Sequence, residues 1–269
     1  MNAERRVTLK SRSQIERMAL AGRVVADLLD ALEERVRPGV TTLELDDFAQ
    51  AYLAERAATP SFVGVPGIRG PYRHALCISI DEQVVHGIPT RRRIQEGEIV
   101  SVDAGAIVDG WHGDAARSFL VGDVSPEARE LVAATRRAML AGIAAAQPGR
   151  HLEDISAAVE DAAVEGGYGV VRAFVGHGIG TEMHEAPQVT NYRTGRRGRI
   201  LEPGLCLAIE PMLTLGGADV RVLDDGWTVV TADGTLAAHW EHSIAIMADG
   251  PRILTTNRVE EGLPLAAST

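Results

Sequence analysis

Four acidic residues in otherwise apolar segments, and one histidine in a glycine-rich turn, are the residues of this 269-residue chain best placed to do chemistry. They are Asp103 in VSVDAG, Asp114 in WHGDAA, Glu210 in LAIEPM, Glu241 in HWEHSI and His177 in VGHGIG. An ionised carboxylate on a buried strand is costly unless it is paired or bound to a cation. No basic residue recurs beside these four, so metal is the expected compensation. Carboxylates with one imidazole suit divalent first-row ions. Five ligands, some of them bridging, suit two such ions rather than one. The glycines around His177 fall at 176, 178 and 180, which is not the Gly-x-Gly-x-x-Gly spacing of a dinucleotide-binding turn.

The strands that carry these acids have a second pattern. Alternate side chains share a face of a strand. Ser101 shares the face of Asp103, Ala116 and Ser118 that of Asp114, Cys206 and Ala208 that of Glu210, and Ser243 and Ala245 that of Glu241. Small neighbours leave room for ions and substrate. The opposite faces carry Val100, Val102, Leu205, Leu207, Ile209, Ile244 and Ile246. Ile99, on the face of Asp103, is an exception. Residues 99–121 read as an antiparallel hairpin.

The acids recur in a duplicated frame. Residues 97–103 (GEIVSVD) align with 204–210 (GLCLAIE), which sets Asp103 on Glu210. Helical patterns precede both. Apolar residues at steps of three and four predict a helix over 13–37, with Ser13 and Glu16 as a capping box and Pro38-Gly39 as its stop. Thr41 and Glu44 open a second helix. Ser125-Pro126 opens a third, with serine as cap and proline in the first turn, and Pro148-Gly149 ends it. A fourth helix runs through Ile155, Val159 and Ala163 to Gly166-Gly167. The expected architecture is α+β: a curved antiparallel sheet around a central site, backed by helices and related by a pseudo-twofold axis. The expected organisation is an arm over 1–12, one catalytic domain over 13–258 made of two halves (about 13–122 and 123–258), and a frayed tail over 259–269.

Composition narrows the class. The net charge of −10 argues against a nucleic-acid partner held by a broad basic surface. Arg91 to Arg93 and Arg193 to Arg199 read as solvated loops. Two cysteines give neither a disulfide framework nor a Cys-x-x-Cys site and fit a reducing cytoplasm. The segment MNAERRVTLKSRS lacks the apolar run of a secretory signal, and no stretch is long enough to span a membrane.

The segments LCISIDEQVVHGIP, GEIVSVDAG, GWHGDAARSF, GHGIGTEMHEAPQV, LAIEPM, DDGWTVVT and HWEHSIAI resemble, in order and spacing, the type I methionine aminopeptidases of the pita-bread fold. The resemblance runs from about residue 15 to 254. It implies that Asp103, Asp114, His177, Glu210 and Glu241 hold two divalent ions (Co, Mn, Fe, Ni or Zn), with Asp114 and Glu241 bridging them. It implies that His86 and His184 are active-site histidines outside the ligand set, and that Glu210 is also the general base. Cys77, Met183, Trp227 and Phe62 fall where the methionine pocket is expected, and a polarizable, aromatic lining suits a thioether. The implied substrates are nascent polypeptides with N-terminal methionine and a small second residue. The implied setting is a cytoplasmic monomer with transient ribosome contact. His177 must be neutral to ligate, so activity is expected to fall below about pH 6.

Three departures stand out. Residues 60–77 run longer than the family pattern, and Val65 stands where a pocket aromatic is expected; Tyr72 is available to substitute. Ala115 and Ser243 replace threonines common in the family, which touches the hydrogen bonds behind the ligands. Trp111 and His112 have no assigned role. Two rivals share the fold: a proline-specific peptidase, separable by Xaa-Pro peptides, and a non-catalytic binding protein, separable by metal content.

Overall fold

The computed structural model describes residues 7–257; the expected tail over 259–269 lies outside them. Cap chemistry sets the helix starts. Helix α1 (Arg12–Glu33) is capped two residues earlier than expected: its capping box is Ser11 with Gln14 rather than Ser13 with Glu16. Both serines are competent caps, and their hydroxyls lie 3.0 Å apart. Ser11 prevails because Gln14, three residues on, returns a bond to its backbone N–H. The helix also stops short of residue 37, although Val36 remains buried. Helix α2 (Thr42–Glu55) starts at the expected Thr41–Glu44 box. Helix α3 (Pro126–Ala145) is capped by Ser125, and α4 (Leu152–Glu165) ends at Gly166.

In chain order the first strands are β1 (Thr59–Pro60), β2 (Leu76–Ile80), β3 (Gln83–Val85), β4 (Ile99–Val108) and β5 (Trp111–Leu120). After α3 and α4 come β6 (Gly169–Val170), β7 (Gly176–Gly178), β8 (Glu185–Val189), β9 (Cys206–Ile209) and β10 (Met212–Thr214). The last are β11 (Val220–Val222), β12 (Val229–Thr231), β13 (Ala237–His239), β14 (Glu241–Met247) and β15 (Gly250–Ile253).

The main sheet has the order β1-β4-β5-β14-β9-β7-β8, with β2 also on β4 and β15 also on β14. Its centre repeats the duplication: the antiparallel pair β4–β5 meets the antiparallel pair β9–β14 along a β5–β14 seam. Helices α1 and α2 cover the first pair, burying Leu28, Leu32 and Leu45 against Ile78 and Val102. Helices α3 and α4 cover the second, burying Met139, Ile143 and Val159 against Leu207 and Ile244. The large residues of the acid-bearing strands thus point to the helices. On the opposite face stand the acids.

Close backbone approach fixes the layer over Asp114. A Cβ at Gly113 would lie 2.6 Å from the amide nitrogen of Gly22 in α1. Glycine at 113 lets the helix rest on the strand next to Asp114, and glycine at 22 clears the carbonyl of Leu254. Two further three-stranded sheets, β13-β10-β6 and β11-β12-β3, stand beside the main one.

Candidate metal centre and substrate pocket

Register places four acids in one patch. Asp103 of β4 and Glu241 of β14 both sit opposite Ala116 of β5, one from each side. Asp114 lies two residues along β5 from Ala116 and therefore on the same face. Glu210 follows the last residue of β9, and Pro211, which has no N–H to donate, ends the ladder there. His177 lies in β7, beside β9. Its flanking glycines are steric requirements, since a Cβ at Gly176 or Gly178 would run into the carbonyl of Ala208 or Ala186.

Ligand atoms of Asp114, His177 and Glu241 lie within 4.8 Å of one another. His177 Nε2 is 3.7 Å from Asp114 Oδ2 and 3.5 Å from Glu210 Oε1. Its Nδ1 is 2.9 Å from the carbonyl of Gly178. That oxygen can only accept, so Nδ1 carries the proton and the Nε2 lone pair faces the acids.

The electrostatics show what the patch lacks. Burial, with Asp114 and Glu210 nearby, raises the Asp103 carboxyl well above its ordinary value. Burial raises Glu210 and Glu241 in the same direction, with Asp114 adding to both. Asp114 is pushed up to about 7 by burial, against an opposing hydrogen bond from Glu241. Asp103 Oδ1, Asp114 Oδ1 and Glu241 Oε1 are buried without a hydrogen-bond partner. Crowded acids with orphaned oxygens and a lone pair aimed among them are the donor set of a hard to borderline divalent cation. Burial takes His177 down to about 3, so it is neutral over the working pH range. On that value an acid limit near pH 6 would not come from this imidazole.

Ser243 supplies the bond that its replacement of threonine called into question. Its hydroxyl donates to the Asp114 carbonyl at 2.8 Å and accepts the Asp114 N–H at 3.2 Å, tying β14 to β5 beside the acids. Ala115 packs into the helix-side core. Trp111 packs with Ile15, Met18 and Ile179, and His112 Nδ1 lies 3.0 Å from the Ser61 hydroxyl.

A cavity of about 460 Å³ opens on this patch, lined by His86, Phe174, His177, His184, Gln188 and Glu210 among others. His86 has φ +59°, uncommon for a residue with a side chain, and its ring meets Phe174 edge-on at 5.1 Å. Burial lowers His86 to about 4, so its ring is neutral near pH 7. The His184 ring stands 4.5 Å from that of His177. It is carried by a turn that Glu185 organises. The Glu185 carboxylate accepts the N–H groups of Thr181 at 3.0 Å and Glu182 at 3.4 Å. Lys10, at 2.5 Å, and the Thr8 hydroxyl, at 2.8 Å, donate to it from the other side.

Beside the acids, Phe62, Tyr72, Cys77 and Met183 form one buried cluster, with Val65, Ile88 and Trp227 packed on it. Tyr72 takes the aromatic place that Val65 leaves. Its ring meets Trp227 at 4.9 Å, and its hydroxyl donates to the carbonyls of Leu76 and Gly87. Trp227 in turn stands 6.5 Å from His86. Cys77 pairs with Asp103 across the β2–β4 ladder, so the cluster borders the acid patch.

Residues absent from the sequence reading also reach the site. His239 Nε2 is 3.9 Å from Glu210 Oε2, and Asn191 donates to the Glu210 carbonyl at 3.1 Å. Alternation could have found His239, which precedes Glu241 by two positions. Asn191 carries no comparable signal.

Residues 16–248 match metallopeptidase family M24. A methionine aminopeptidase of Clostridium perfringens is 45% identical over 249 residues, 93% of this chain and 98% of that protein. Methionine aminopeptidase 1 of Mycobacterium tuberculosis is 47% identical over 262 residues, 95% and 97% of the two chains. The crystal structure of methionine aminopeptidase from Thermotoga maritima superposes with a TM-score of 0.89 at 40% identity, covering 94% of this chain and all of that one. Seven-eighths of the chain matches one family, and its acids converge on one patch at the centre of the shared fold: the chain belongs to metallopeptidase family M24.

Proposed function

We propose that this protein removes N-terminal methionine from nascent chains and peptides by hydrolysing the first peptide bond. Relatives that the chain covers almost end to end carry that activity in their names. One observation of the site supports the reading most strongly: Asp103, Asp114 and Glu241 keep buried carboxylate oxygens without partners, where ligand atoms of Asp114, Glu241 and a neutral His177 converge within 4.8 Å. In this reading Asp103, Asp114, His177, Glu210 and Glu241 would hold two divalent cations. Such ions acidify water and polarise a carbonyl when bound.

The chain's own groups do the rest. Glu210 accepts the proton of the attacking water and returns it to the leaving amine. His184 donates to the oxygen on which charge develops. His86, fixed against Phe174, holds the substrate backbone. The cluster of Phe62, Tyr72, Cys77, Met183 and Trp227 takes the methionine side chain; sulfur and aromatic faces suit a thioether. Among the described residues no helix is long and apolar enough to cross a membrane. We infer a cytoplasmic enzyme that meets nascent chains.

Turnover of Met-Gly-Met tests the reading. Chelation should abolish it and added Mn²⁺, Co²⁺ or Fe²⁺ restore it, with Xaa-Pro peptides left uncut. Full activity of a metal-free preparation, or preference for Xaa-Pro, overturns it.

A further inference from the structure

The Glu210 carboxylate stands between two imidazoles. His177 faces Oε1 at 3.5 Å and is accounted for as a ligand. His239, at the end of β13, faces Oε2 at 3.9 Å. It is 2% exposed, and its Nε2 is buried without a hydrogen-bond partner. A buried polar atom in that state is costly and calls for an explanation.

Both groups are anchored through their backbones. The His239 N–H donates to the Ser118 hydroxyl at 3.0 Å, that hydroxyl lies 2.9 Å from the His239 carbonyl, and His239 pairs with Met212 across the ladder. The Glu210 carbonyl is held by Asn191. Neither main chain can drift, so the ring and the carboxylate stay facing. The gap is about 1 Å beyond hydrogen-bond reach, a distance that the torsions of a glutamate side chain can close. An ionised carboxylate can only accept. The partner that Nε2 can supply to Oε2 is therefore an N–H, which also satisfies its own orphaned nitrogen.

We propose that His239 is a positioning residue for the reaction: it donates Nε2–H to Oε2 of Glu210 and so aims the carboxylate that carries the proton. The inference rests on the reading of Glu210 given above. His239 shares a carboxylate with the ligand set but is not a ligand, so its replacement spares the metal and costs turnover.

Two measurements test it. In ¹⁵N-histidine-labelled protein, metal-free and zinc-loaded, His239 should be the Nε2-protonated tautomer, and its Nε2 resonance should move in Glu210→Gln. In kinetics on Met-Gly-Met with Mn²⁺, His239→Leu should lower kcat roughly 10- to 100-fold, the usual effect of losing a group that orients a ligand. KM should change less than about 2-fold, and bound metal should be unchanged. His239→Gln, whose amide N–H reaches a similar position, should recover most of the loss. Wild-type kcat in His239→Leu overturns the proposal, as does a His239→Gln no better than His239→Leu, loss of metal in either variant, or an Nδ1-protonated ring. If His239→Leu does not fold, the comparison of His239→Gln with His239→Met and the resonance decide. A wild-type protein that fails to cleave with metal refutes the peptidase reading; a His239→Leu protein that cleaves as well as wild type refutes this inference alone.

Discussion

His177 and His184 have rings 4.5 Å apart, yet they should respond differently to replacement. His177 turns its Nε2 lone pair on Asp114 and Glu210, so His177→Ala should lose bound metal along with activity. Glu241→Ala should do the same. His184→Ala should keep its metal and lose kcat, on the order of 10²-fold for a lost donor to a developing oxyanion. Metal analysis of the purified variants separates the outcomes, and a metal-depleted His184→Ala would merge the two roles. The set of four acids and His177 was legible in the residue types and their segments, whereas His184 was singled out only through the family resemblance. His239 was missed because a histidine among apolar residues reads as core until a structure shows what its far nitrogen faces. Tyr72 was legible as a candidate but not as an occupant, because chain length between anchors says nothing about which way a loop folds.

At the scale of elements, the turn that carries His184 depends on the segment before α1. Burial pushes the Glu185 carboxyl up, but the bonds from Lys10 and Thr8 outweigh it and hold it below its ordinary value. The Lys10–Glu185 pair is nearly enclosed, with side chains 4% and 11% exposed. Breaking such a pair from one side strands a charge and costs about 3 kcal/mol. Lys10→Met should therefore lower the denaturation midpoint, and Glu185→Gln placed on top should cost less than it does alone. Additive effects would show that the two side chains do not depend on each other. The α2 and α3 starts were legible because each cap is a local arrangement of three or four residues, whereas the His151 start of α4 went unread. The α1 start was two residues off because two serines compete and the sequence does not rank them. The Lys10–Glu185 contact was invisible, since 175 positions separate its partners.

For the whole molecule, the acid patch opposes folding until it is neutralised. Asp114 has a folded value of about 7 against an ordinary 3.8. The folded state thus holds this proton more tightly than the unfolded chain. The stability it contributes is complete below about pH 4 and is lost as the pH rises through about 7. Asp103, Glu210 and Glu241 shift in the same direction. Metal-free protein should therefore melt lower near pH 8 than near pH 5.5. Excess Mn²⁺ should remove the difference, since a ligand of the folded state stabilises it by mass action. Equal melting temperatures for metal-free protein at both values would show that the acids are solvated. The curved sheet and its helical backing were readable from the duplicated pattern, because each half repeats the same order of helices and acidic strand. The small sheets around β3 and β13 were not, since strands of three residues carry too little periodicity.

The β5–β14 seam also fixes an order in time. Asp103 and Asp114 are made well before Glu241, which enters the sheet beside Ala116 of β5. Until the final hairpin closes on that seam, the cage lacks a wall. The metal-binding patch is therefore complete only when the second half of the sheet has joined the first.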